Sequence, residues 1–320
     1  MTTPGLPGAT IAAGARATPP ASGGSSQAGA RHARASRQER LARKLLLPVL
    51  IPVMVVAAIP IAMAFVRALL TVDGRFAGPD NFTRILSNPE LAGSIRATLV
   101  YAVIVVPTEV LVGLGLATLV HRTVRRGWMR GLIYILASIP IVIPMIAVGV
   151  TFRLIYAADY GLLNVVLGGS GKGQILWLSD PILAMLAVAS VDVWQWTPFV
   201  FLVLFAGFQT VHHEAVEAAE VDGAGPWARF RHIELPYLRP LLVLVVFFRL
   251  ADVMWVFDHV YVLTGGGPGT TTQFLSLFMY KVAFRFDQMG PASALSAMVM
   301  VVMTVVYFAI NRYLPKESAR

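Results

Sequence analysis

Stretches of 20 or more largely apolar residues recur along the chain, separated by short polar connections. About 20 residues in a helix cross the hydrocarbon core of a bilayer, and a helix satisfies every backbone N–H and C=O within the segment. The pattern predicts six spans, at about residues 45–70, 95–120, 131–157, 182–208, 240–263 and 292–314, and therefore an all-α integral membrane fold. Prolines fall inside several of them: Pro48, Pro52 and Pro60 in the first, Pro107 in the second, Pro140 and Pro144 in the third, Pro198 in the fourth. Each frees a backbone carbonyl, which is tolerated only where neighbouring helices or water can satisfy it. That favours a bundle with a solvated interior.

Composition agrees with this reading: 57% of the 320 residues are apolar and 13% charged, and the mean hydropathy is +0.69, which excludes an ordinary soluble domain. The formal charge of +9 raises the question of nucleic acid, and its distribution answers it. With the N-terminus inside, the inner segments hold 17 Lys and Arg and the outer segments 5. The positive-inside rule accounts for the excess, leaves nucleic-acid binding without support and puts both termini in the cytoplasm of a multi-pass cell-membrane protein. Residues 1–44 read as a disordered, basic cytoplasmic tail: the first 30 are mainly Gly, Ala, Ser, Thr and Pro with one charge, Arg16, and RHARASRQERLARK follows. A secretory signal is the rival for a basic stretch before an apolar one. The apolar part is too long, however, and no small-residue cleavage site follows Leu70. The organisation expected is thus the tail, a first transmembrane helix over 45–70 and a five-helix core over 71–320. There are no cysteines, so disulfide scaffolds and thiolate chemistry are excluded.

Polar groups inside spans are costly and mark function by default. In span four Asp192, Gln195, Trp196 and Phe199 share a face at about 100° per residue. In span five Arg249, Asp252, Trp255, Val256 and His259 do the same, with Asp258 on the flank. Arg249 and Asp252 are three apart and can neutralise each other. Carboxylates and amides alternating with aromatic rings suit a neutral polyhydroxy ligand, although helix-to-helix polar contacts explain any single residue equally well. Glu109, beside Pro107, is open to either role. An ion-coupled carrier using Asp192, Asp252 and Glu109 as proton sites is the reading from another class.

The inner segment 209–239 differs from the rest, being long, acidic and helix-forming. Ala215–Asp222 is expected as a short helix, Gly223–Pro226 as a break, and Trp227–Leu235 as a second helix ended by Pro236. Outside, FLSLFMYKVAFRFDQMG before Pro291 is amphipathic, the pattern of a helix lying on the membrane surface. Other apparent motifs fail. Around Gly168–Gly173 a phosphate-binding loop would need glycine at 166 and Ser or Thr at 173, where Val166 and Gly173 stand. Gly113-Leu114-Gly115 is better explained by close helix packing. His212 and His213 point to different helix faces, no metal set or catalytic triad is evident, and nothing in the residues marks the chain as an enzyme.

Glu217, Ala218 and Ala219, then three residues including Asp222, Gly223, nine more, Ile233, any residue, Leu235 and Pro236 resemble the signature loop of membrane subunits of binding-protein-dependent ABC importers. DGAGPWARFRHIELPYLRP resembles the carbohydrate branch, and Tyr261 to Pro268, YVLTGGGP, is similar to the maltose-transporter type. The likeness covers about residues 80–315, beginning near Gly78-Pro79-Asp80-Asn81-Phe82. It implies the six-helix permease fold of type I ABC importers, with 209–239 as a coupling helix seated on a cytoplasmic ATPase. Glu217 would pair with a basic group there, Ala218 and Ala219 would allow close approach, and Gly223 would supply a backbone geometry that a side chain obstructs. The resemblance further implies a second permease as heterodimer partner, two ATPase copies that carry ATP and Mg, and an extracytoplasmic sugar-binding protein met by the outer helix. Asp192, Gln195, Trp196, Phe199, Trp255 and Asp258 would occupy or adjoin sugar-contacting positions. The substrate expected is a neutral di- or oligosaccharide or a polyol, with glycerol phosphate as competitor.

Overall fold

The computed structural model describes residue 48 and residues 50–71, 73–168 and 173–313. The expected tail over 1–44, the glycine-rich run over 169–172 and residues 314–320 lie outside them. Among the described residues the chain is helical, with an isolated bridge between Leu70 and Phe76. It divides into two units, Met1–Ile61 and Ala62–Arg320. The described part of the first belongs to helix α1 (Leu50–Ala68), whose Leu50, Ile51, Met54 and Val56 are exposed and whose hydropathy suits a bilayer.

In the second unit, α2 (Asp80–Leu86) leads to α3 (Pro89–Thr123), and the other long apolar helices are α7 (Pro181–Phe208) and α13 (Met289–Tyr313). The second, fourth and sixth expected spans are therefore present. Capping fixes two of their starts: Asn88 accepts from the Glu90 N–H at 2.9 Å, and Asp180 from those of Ile182 and Leu183, each ahead of a proline in the first turn. Such caps satisfy backbone donors that the helix leaves free. α3 and α7 run side by side in close contact. A Cβ on Gly113 would lie 2.7 Å from Val200 Cγ1, whereas one on Gly115 would meet nothing within 4 Å. Gly113→Val should accordingly push α3 from α7 and cost about 1–3 kcal/mol, seen as a lower melting temperature in lipid, while Gly115→Val should leave it unchanged.

The third expected span departs from a straight helix. It consists of α4 (Gly127–Val142) and α5 (Met145–Ile155), bent by 88° at Ile143 and Pro144. Pro144 cannot donate its nitrogen to continue the ladder, and the Gln195 amide of α7 takes up the Ile143 carbonyl at 2.8 Å. α6 (Leu162–Val166) comes after the bend.

The fifth is broken as well. α10 (Leu235–Val253) stops, Met254–Phe257 turn, and α11 (Asp258–Leu263) starts anew. Arg239, Arg249 and Asp252 make α10 too charged to qualify as an apolar span, so four helices meet that criterion among the described residues, or five counting the bent pair. Six segments are still present in the expected order.

The expected outer surface helix is instead part of the core. α12 (Leu275–Tyr280) continues into a π-helical turn over Lys281–Arg285, and Leu275, Leu277, Phe278, Met279, Val282 and Ala283 are buried against α3 and α13. Hydrophobicity around all of α12, rather than on one face, accounts for the difference. A polar chain joins it to α3: Lys281 donates to the Gln273 amide oxygen, and the Gln273 amide nitrogen donates to Glu90 at 2.7 Å. Burial pushes the Lys281 ammonium below the ordinary lysine range, with Glu90 opposing that shift and Arg285 adding to it.

Candidate functional site

Arg249, on the inner face of α10, is fully buried and holds three carboxylates from three helices. Its Nε and Nη2 donate to Glu109 of α3 at 2.5 and 2.9 Å. Nη2 also donates to Asp192 of α7 at 2.8 Å, and Nη1 to Asp252 one turn along α10. The guanidinium lies 4.8 Å from the centre of the Trp196 ring, a favourable position for a cation over an aromatic face. All of its nitrogens are engaged. The pairing of Arg249 with Asp252 expected from spacing is thus present, and Glu109 resolves as a bond to Arg249 from 140 residues away. Beside the cluster, the Tyr101 hydroxyl and His259 Nε2 are 3.3 Å apart and buried. Such groups bolt helices together where water cannot serve as partner.

On the same stretch of α7 four buried polar atoms have no hydrogen-bond partner among the described residues: Asp192 Oδ1, Gln195 Oε1, Trp196 Nε1 and Thr197 Oγ1. Two acceptors, one donor and a hydroxyl that can act as either can take hydroxyl groups. Trp196, Phe199 and Phe248 form an aromatic group next to them, with Phe199 and Phe248 ring centres 5.0 Å apart. The structure therefore brings together Asp192, Gln195, Trp196, Phe199 and Asp252 of the sequence-derived set.

It does not bring Trp255 or Asp258 to them. The face counted at a helical period ends with α10 at Val253, and the turn over Met254–Phe257 redirects the chain into α11. Trp255 is 48% exposed and lines an open cavity of about 400 Å³ with Phe257, Ser276, Tyr280, Phe284 and Ser293. Asp258 is exposed at the start of α11, whereas His259 is buried against Tyr101. Phe248, Tyr280 and Phe284 carry no mark in the sequence as site residues. Only an aromatic residue beside a span's charged face could have singled out Phe248.

The 209–239 segment forms a platform. α8 (His213–Val221) begins and ends slightly earlier than expected, and Asp222 caps it. Gly223 has φ of +76°, with Ala224 N–H bonded to the Ala219 carbonyl at 2.9 Å and Gly223 N–H to that of Glu220 at 3.1 Å. This is the glycine-dependent helix ending in which a left-handed residue satisfies the last carbonyls. α9 (Pro226–Arg229) comes next and widens into a π-helical turn over Phe230–Glu234. That turn runs straight into α10. Pro236 sits at the start of α10, directly after the turn in which the helix widens, so it does not end the second helix as expected. Glu217, Ala218, Asp222, Gly223 and Pro236 are exposed, Ala219, Ile233 and Leu235 half-buried. Val221 and Trp227 show 88% and 69% of their surface, which is unusual for large apolar residues at the polar end of a bundle.

A family model described as binding-protein-dependent transport system inner membrane component matches residues 109–318. The trehalose/maltose transport system permease protein of Thermococcus litoralis is 34% identical over 87% of this chain and 95% of its own length. The sulfoquinovosyl glycerol transport system permease protein of Agrobacterium fabrum is 32% identical over 85% and 90%. A chain of a bacterial ABC transporter involved in the import of the acidic polysaccharide alginate superposes with a TM-score of 0.75 over 88% of this chain and 97% of that one, at 21% identity, and so shares the fold. With its bundle of apolar helices, its helix–glycine–helix platform and these relatives, the chain belongs to the inner-membrane permease components of binding-protein-dependent ABC transport systems.

Proposed function

We propose that this permease carries a neutral carbohydrate, a di- or oligosaccharide or a polyol, into the cell as one half of a heterodimer with a second permease. Two copies of a cytoplasmic ATPase hold ATP and Mg, an extracytoplasmic binding protein delivers the sugar, and both termini face the cytoplasm. The platform α8–α9 seats on one ATPase through Glu217, Ala218, Ala219 and Gly223. ATP-driven closure of the ATPases moves the platform and with it α10, opening the pathway outward, and hydrolysis resets it. Release requires only weak binding within the membrane, because capture is the binding protein's task.

The observation that carries the choice of substrate class is the engagement of Arg249 by three carboxylates. All three of its nitrogens serve Glu109, Asp192 and Asp252, so four of the guanidinium's five N–H groups are taken and its single charge is outnumbered by carboxylates that would repel a phosphate, while the unpartnered atoms of Asp192, Gln195 and Trp196 suit hydroxyls. The trehalose/maltose relative supports the same class. In the reconstituted transporter with its binding protein, ATP hydrolysis should rise with one neutral saccharide or polyol and not with glycerol phosphate. Stimulation by the phosphate ester alone would refute the charge argument, and uptake driven by a proton gradient without ATP would refute the importer.

A further inference from the structure

We infer that Arg122, at the inner end of α3, is a positioning residue that ties the coupling elbow to the helix carrying Glu109. The inference rests on the coupling role proposed above for α8–α9.

The Arg122 Nη2 donates to the Pro226 carbonyl at 3.1 Å and to Glu234 Oε2 at 3.2 Å, and the guanidinium carbon lies 6.0 Å from the centre of the Phe230 ring. One side chain thereby reaches the first residue of α9 and both ends of the π-helical turn. Its partner Glu234 is buried, with only 7% of the side chain accessible, and a buried carboxylate needs such a partner. The elbow is braced on its other side too: Arg229 pairs with Glu220 across the glycine turn, and the His212 ring stands edge-on to Tyr237 with centres 5.7 Å apart.

The reason for these ties lies in the backbone between them. Gly223 and Gly225 flank the elbow, and glycine yields readily in φ and ψ. A load on α8 would be absorbed there as rotation unless side chains bridge the turn. Arg229 closes α8 onto α9, and Arg122 closes α9 onto α3. Glu234 leads directly into α10, and α10 is joined to α3 a second time by Arg249 and Glu109. Arg122 and Glu109 are separated by about 20 Å along α3. Two helices fastened at two levels that far apart move as one body, so displacement of the elbow arrives at the buried cluster rather than dissipating in the loop. Positive charge at an inner helix end is ordinary, but Arg125 and Arg126 are exposed and serve that purpose without these three contacts.

The test uses the assembled transporter in proteoliposomes with its binding protein, measuring sugar uptake and ATP hydrolysis on the same sample. Arg122→Ala and Glu234→Gln should co-purify with the ATPase and hydrolyse ATP at near the unmodified rate, while uptake per ATP falls at least about fivefold, the lower range of coupling between sites. Arg125→Ala should leave that ratio unchanged. The exchanged pair Arg122→Glu with Glu234→Arg should recover part of it, which a merely structural loss would not do. Should Arg122→Ala fail to assemble, Arg122→Lys, which keeps the charge but not the reach to two acceptors, should give an intermediate ratio. An unchanged ratio in Arg122→Ala or Arg122→Lys, or an exchanged pair no better than the single variants, overturns the inference. If Gly223→Val is defective while Arg122→Ala is normal, the role of Arg122 alone falls; if both are normal, the coupling role of the platform falls with it.

Discussion

Replacing Arg249 with Met should destabilise the permease by about 3–5 kcal/mol, because it leaves the buried carboxylates of Glu109 and Asp192, and the half-buried one of Asp252, without their shared cation. The guanidinium is the only group linking these acids of α3, α7 and α10 to one another among the described residues. Folded yield and thermal unfolding in lipid are the measurements, and the variant should fail in both. The quadruple variant, with Glu109→Gln, Asp192→Asn and Asp252→Asn added, should recover much of the loss, since removing a buried ion cluster whole is far less costly than removing one partner. Arg249→Met with the stability of the unmodified protein would mean that the acids are not held by Arg249. Arg249→Lys should fall between, because a single ammonium cannot reproduce the forked contacts to Glu109.

This cluster also marks how far the sequence can be read. The α1, α3, α7 and α13 spans are legible because 20 apolar residues in a row have few other uses, and helical period finds the two acids on α7 and α10. Glu109 is visible as an acid in a span, but nothing local says that it meets an arginine 140 positions later. Period arguments also fail wherever the helix they assume stops. Counting through Val253 puts Trp255 on the face of Arg249 and Asp258 on its flank, and the turn after it sends them elsewhere. Proline shows that the third span frees a carbonyl, whereas the 88° bend and the Gln195 amide that answers it depend on α7 being alongside. The outer segment misleads for a related reason. Its charged end, Lys281 and Arg285, suggests a surface, but the apolar residues of α12 have neighbours on every side. The elbow is the most legible part of the site, since glycine at a left-handed turn and proline after it are local chemistry.

Gly223→Val should abolish sugar uptake and weaken co-purification of the ATPase, with little effect on folded yield. The residue has φ of +76°, and among the described residues, its chain neighbours aside, no atom lies within 4 Å of where a Cβ would stand. A β-branched residue in that conformation costs on the order of 1–3 kcal/mol, and the strain is relieved by turning the elbow out of the geometry that sets α8 against α9. Because the surrounding space is open among the described residues, a side chain there is placed to meet a partner that docks from outside. Two further variants separate conformation from contact. Gly223→Asn tolerates the left-handed region while adding bulk, so it should keep the elbow and lose docking. Glu217→Ala keeps both backbone and space and removes one charge, so its defect should be milder and should shrink further as salt is raised. Full uptake in Gly223→Asn would confine the role of Gly223 to backbone geometry, and full uptake in all three variants would mean that this platform does not receive the ATPase. The distinction has a structural consequence: if contact matters, the exposed Val221 and Trp227 belong to the same docking face, and protection of Trp227 fluorescence from a soluble quencher should appear on assembly with the ATPase and vanish in Gly223→Asn.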